Sequence, residues 1–67
     1  MKLTIKKISE EKIERIITDG DIIVFQDTLL HSYMEKYLIN KELTLDMISQ
    51  LSGLFGEFTE IENEFDI

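Results

Sequence analysis

The apolar positions of this chain change period several times, and each change predicts an element. Residues 2–8, Lys-Leu-Thr-Ile-Lys-Lys-Ile, alternate roughly at two and include β-branched side chains, which predicts a short strand. Ser9 follows with Glu10 and Glu11 behind it, a credible N-cap with acids in a first turn. Ile13, Ile16 and Ile17 then fall at i, i+3 and i+4, one apolar stripe of a first helix. Asp19-Gly20-Asp21 ends that helix, with Gly20 suited to the left-handed position after the last turn. Ile22-Ile23-Val24-Phe25 is too short for its period to decide. A buried strand is the favoured reading, and the first turn of a helix capped by Asp21 is the alternative.

Asp27 and Thr28 are cap-like, and Leu29, Leu30, Tyr33, Met34, Tyr37 and Leu38 behind them keep a 3.6-residue stripe. A helix is expected from about 28 to 39, ended by Asn40. Thr44 caps a third helix. In it Leu45, Ile48 and Leu51 form one apolar row, and Met47, Leu51, Leu54 and Phe58 another, with Gly53 and Gly56 weakening its end. Residues 59–67 separate at period two: Ile61, Asn63, Phe65 and Ile67 face one way, and Glu60, Glu62, Glu64 and Asp66 the other. An extended tail is expected, either an edge strand beside residues 2–8 whose acids meet Lys2 and Lys6, or a solvated terminus.

These elements describe one α+β domain over residues 1–67: a short N-terminal strand, about three helices and a C-terminal edge strand. The alternative is an all-α three-helix bundle with an extended acidic tail. With 67 residues the chain buries a modest core, so self-association or a partner is the natural supplement to its stability. It has no Cys, which excludes disulfides and thiolate zinc sites. No apolar run approaches the roughly 20 residues of a membrane span, and residues 1–7 lack the apolar core of a signal peptide, so a cytoplasmic protein is expected. The lack of Ala and Pro and the single Arg fit an AT-rich gene, such as one of a low-GC bacterium or its phage.

Charge changes the picture more. The net charge is −7, and it is uneven. Residues 1–15 carry five bases against three acids. The last 26 residues carry seven acids, Glu42, Asp46, Glu57, Glu60, Glu62, Glu64 and Asp66, and no base. Such a field repels nucleic acid and anionic lipid and attracts basic surfaces. Direct nucleic-acid binding and membrane binding are therefore not expected.

Chemistry-bearing patterns are sparse. His31 is the single histidine, and on a 28–39 helix Asp27 and Glu35 would lie four residues to either side of it. Exposed helix pairing explains that spacing better than a metal or a general base. Asp19-Gly20-Asp21 opens like a calcium loop, but Leu30 stands where the loop needs Glu. Gly53-Leu54-Phe55-Gly56 has the spacing of a nucleic-acid clamp in acidic surroundings, and helix termination explains it better. No catalytic, cofactor or metal residues are assigned, and an enzyme is not expected.

The expected function is a small acidic binding protein that blocks or modulates a partner with a basic surface, such as a phage or mobile-element inhibitor of a host nucleic-acid enzyme. Glu57, Glu60, Glu62, Glu64 and Asp66 are the expected partner-binding residues, and Glu60, Glu62, Glu64 and Asp66 would form a row of carboxylates that imitates a phosphate backbone. The alternative is a homodimer or regulatory module that self-associates through apolar helix stripes, with Tyr33, Tyr37, Leu51 and Phe58 as contacts.

Overall fold

A computed structural model describes residues 1–65. In chain order the elements are β1 (Lys2–Lys7), β2 (Lys12–Asp19), β3 (Ile22–Leu30), α1 (His31–Leu38), α2 (Lys41–Phe55) and β4 (Glu60–Asn63). The strands form one sheet in the order β3-β2-β1-β4. β1, β2 and β3 are an antiparallel meander, and β4 adds parallel to β1 after the two helices have carried the chain from one sheet edge to the other. The fold is α+β. Among the described residues it has two helices, not three, and it is not chiefly helical, so the three-helix alternative is excluded.

The correction falls on residues 12–19. Ile13 and Ile17 are four apart, and four is an even number as well as nearly one helical turn. They therefore share a face in a strand too, with Arg15 between them, while Ile16 turns to the opposite face. Three Ile in five residues suit the pleated surface better than the helix. Ser9 makes the bond expected of a cap, since its Oγ accepts from the Lys12 N–H at 3.1 Å, but the bond closes the β1–β2 turn. Asp19-Gly20-Asp21 likewise closes a hairpin: Gly20 and Asp21 are its two loop residues, and Gly20 has φ +62°. Glycine first, with a positive φ at that position alone, is the backbone pattern of a type II′ turn, whose twist matches the flanking strands.

Ile22–Phe25 lie in β3, which runs on through Leu30 and takes the first three residues of the expected 28–39 helix. A bulge at Val24 shifts the β2–β3 register between Ile17/Phe25 and Thr18/Ile23. α2 starts at Lys41, three residues before Thr44. Its cap is Asn40, whose Oδ1 accepts from the Leu43 N–H at 3.2 Å. Buried Thr44 instead donates its hydroxyl to the Asn40 carbonyl at 3.0 Å and to the Tyr37 carbonyl, which ties α2 to α1.

Both helices cover the same sheet face. Leu3 and Ile5 of β1, Ile13 and Ile17 of β2, Met34 of α1, and Met47 and Leu51 of α2 form the buried core. Ile48 and Phe55 pack against it, so the inward row of α2 is Met47, Ile48, Leu51 and Phe55. Leu54 is 78% exposed and lies outside that row. The opposite sheet face is open and polar. Lys6 Nζ stands 3.5 Å from Glu14 there, and Glu14 accepts from Gln26 Nε2 at 2.9 Å.

Candidate functional site

The acidic tail enters the fold as the edge strand β4. Gly56 caps α2 with φ +113°, and a Cβ there would sit 2.7 Å from the Met1 side chain, so the chain leaves the helix close beside its own N-terminus. The Thr59 N–H then donates to the Met1 carbonyl at 2.8 Å, and the Glu64 N–H to the Ile5 carbonyl at 3.0 Å. Backbone pairing to β1 thus spans slightly more than the strand itself. Its register, Lys2 beside Glu60 and Thr4 beside Glu62, sends Glu60 and Glu62 to the open face and Ile61 and Asn63 to the helix side.

Lys2 Nζ is 3.0 Å from Glu62 Oε2 and 3.9 Å from Glu60 Oε1. The hydrogen bond that Lys2 donates to Glu62, with the charges of Glu60 and Glu62, raises the Lys2 pKa above its ordinary value. Two carboxylates share one ammonium, so the row keeps an excess of negative charge. Lys6, expected to meet the tail, pairs with Glu14 instead.

Among the described residues, the carboxylates expected in one ladder do not all stand together. Glu60 and Glu62 stand side by side. Glu64 folds back onto β1, where its Oε2 accepts from the Lys7 backbone N–H at 2.8 Å. Glu57 lies on the other side of β4, at the rim of a groove. Asp66, with Ile67, lies outside the described residues. The groove runs between α2 and β4, holds about 300 Å³, and is lined by Leu45, Ile48, Ser49, Ser52, Phe58 and Ile61 besides Glu57. Leu45 is 55% exposed and Ile61 45%, so apolar surface flanks the acidic row across the thickness of the sheet. The period-two split was legible in the sequence. The groove was not, because it needs α2 to lie alongside β4.

The expected self-association residues are scattered. Tyr33 and Tyr37 lie on α1 with ring centroids 6.4 Å apart and Lys36 Nζ over both. Phe58 is half-buried in the groove, and Leu51 is core. Exposed Ile22, Ile23 and Val24 sit at the far sheet edge, on β3.

His31 begins α1. Its backbone N–H donates to the Glu11 carbonyl at 2.7 Å, and its ring meets the edge of Phe65 at 6.1 Å. A shallow pocket of about 360 Å³ lies beside it, lined by Glu10, Glu11, Leu30 and Ser32 as well. Asp27 is on β3 and engaged by Arg15, so Asp27, His31 and Glu35 do not converge. Among the described residues no group of three or more His, Asp or Glu side chains is placed to hold a metal ion. No helix among them is long and apolar enough to cross a membrane.

Among known proteins, no family model, no curated sequence and no solved structure matches this chain.

Proposed function

We propose that this chain is a non-enzymatic cytoplasmic binding protein that presents the β4 edge to a partner with a basic surface and so blocks or modulates that partner. One observation carries the reading: Glu60 and Glu62 stand exposed on one face of an edge strand, with Lys2 as their shared counter-charge. Alternate carboxylates on a strand are about 6.6 Å apart, a regular negative row that suits a groove built for a nucleic-acid backbone. The concentration of acids in the last 26 residues strengthens the field around that edge and steers basic surfaces toward it.

The test is recovery of the partner from cell extract at low and high salt, with the wild type and with a variant carrying Glu57→Gln, Glu60→Gln, Glu62→Gln, Glu64→Gln and Asp66→Asn. Capture by the wild type is expected to fall steeply with salt and capture by the variant to be weak throughout. Capture that ignores both salt and the substitutions would sink the proposal.

Self-association is a second reading, and exposed Ile22, Ile23 and Val24 on the unpaired edge of β3 favour it over the helix stripes. Light scattering across a concentration series separates monomer from dimer.

A further inference from the structure

The free edge of β4 has three properties that converge on one kind of ligand. Among the described residues no strand lies beside its outward backbone groups, because β4 ends the sheet order. On the open side of that edge stand Glu60 and Glu62. On the helix side lies the groove, where Ile61, Leu45, Ile48 and Phe58 supply the apolar lining beside Ser49, Ser52 and, at the rim, Glu57. An added strand places successive side chains on alternate sides of a sheet. Next to β4, one set would meet carboxylates and the other the groove.

We infer that β4 binds an extended segment in which Lys or Arg alternates with apolar residues, received as a fifth strand of the sheet. This rests on the reading of β4 as an acidic binding edge and changes its mechanism, from a charged surface to backbone pairing with two-sided selection. The molecule already contains one strand of that kind. β1 lies along the other edge of β4 and meets it by the same rule: Lys2 faces Glu60 and Glu62 on the open side, while Leu3 and Ile5 are buried on the helix side. Main-chain hydrogen bonds supply affinity in such strand addition, and side-chain pockets at alternate positions supply selectivity. The acidic row also decides against a second copy of the chain, which would bring Glu60 and Glu62 against like charges, and for a basic strand.

The test uses the full chain and three capped heptapeptides: Lys-Val-Lys-Val-Lys-Val-Lys, Lys-Lys-Lys-Lys-Val-Val-Val of the same composition, and the first peptide N-methylated at a central Lys and the adjacent Val. Calorimetry gives affinities, and amide resonances give the site. The alternating peptide is expected to bind at least about tenfold tighter than the other two, because only it can pair its backbone in phase with both sides. It should shift the amides of Ile61, Glu62 and Asn63. Glu60→Gln and Glu62→Gln should each weaken it roughly two- to fivefold. Leu45→Gln, on the exposed side of α2, should weaken the alternating peptide and leave the block peptide unchanged.

Equal affinity for all three peptides overturns strand addition and leaves the acidic-edge reading standing. Shifts confined to Ile22–Leu30 overturn the site, since they place the peptide on β3. Binding by none of the three overturns both.

Discussion

Arg15 on β2 and Asp27 on β3 stand directly opposite one another on the helix-covered face, with Arg15 Nε 3.0 Å from Asp27 Oδ1 and Nη2 on Oδ2. Strand parity puts them there. Ile13 and Ile17 must face the core, so the residue midway between them must as well. The side chains keep only 15% and 27% of their exposure, and the guanidinium lies 5.9 Å from the Phe25 ring, which in turn packs on Phe55. A two-point pair with a stacked arginine is the arrangement that makes a charge tolerable next to apolar residues.

Breaking that pair from one side should therefore cost more than replacing it. Asp27→Ala leaves a mostly covered guanidinium without its acceptor and is expected to destabilise the fold by about 1–3 kcal/mol. Arg15→Met combined with Asp27→Leu should return to within about 1 kcal/mol of the wild type. Urea denaturation of Arg15→Met, Asp27→Leu and the double closes the cycle, and additive losses would show that the two residues are not coupled.

The Lys2 contact with Glu60 and Glu62 is exposed and holds a local element, so its loss should be local. Lys2→Met is expected to leave the urea midpoint almost unchanged and to speed amide exchange at Thr59 and Glu64, the donors that pin the tail to β1. Because the folded pKa of Lys2 is raised, the ammonium and its contribution are fully present below the ordinary lysine value of 10.5 and are lost as pH rises through the higher folded value. β4 resonances should follow an alkaline titration with a midpoint above 10.5 in the wild type and show no such step in Lys2→Met.

The β2–β3 hairpin depends on a backbone conformation, not on space. Nothing lies within 4 Å of where a Cβ of Gly20 would be, yet its φ is +62°. Gly20→Ala should cost roughly 1–2 kcal/mol by thermal or urea unfolding, since an L side chain rarely adopts a positive φ. An Ala variant as stable as the wild type would mean that the turn does not hold this geometry in solution.

Leu51 and Ile23 separate core from surface. Leu51 is 7% exposed, so Leu51→Glu is expected to unfold the protein, by 3 kcal/mol or roughly more, whatever its oligomeric state. Ile23 is 57% exposed on the edge of β3, so Ile23→Lys should change stability by less than about 0.5 kcal/mol. The same change should reduce any concentration-dependent association seen by light scattering, because a charged edge resists strand pairing. An unfolded Ile23→Lys variant would contradict the exposed placement of that residue.

Several things were determined by the sequence alone. Alternation fixed β1, and the split of acids from Ile61 and Asn63 fixed the two faces of the tail. The stripe through Met34, Tyr37 and Leu38 marked a helix, and Gly56 marked the end of another. These are local properties: side-chain period and backbone freedom belong to a short segment and need no partner. The identity of residues 12–19 was not local, because spacings of four serve either period. Their pairing with β1 and β3 decided it by satisfying both edges of the strand. The same pairing turned Asp19-Gly20-Asp21 from a helix end into a hairpin and moved Asp27 away from His31 to Arg15. Only the sheet order, with β4 at an edge and α2 alongside it, set an acidic row and an apolar groove on the two sides of one free strand. Charge sequence gives the sign of a surface, but which other surface it borders depends on elements far apart in the chain.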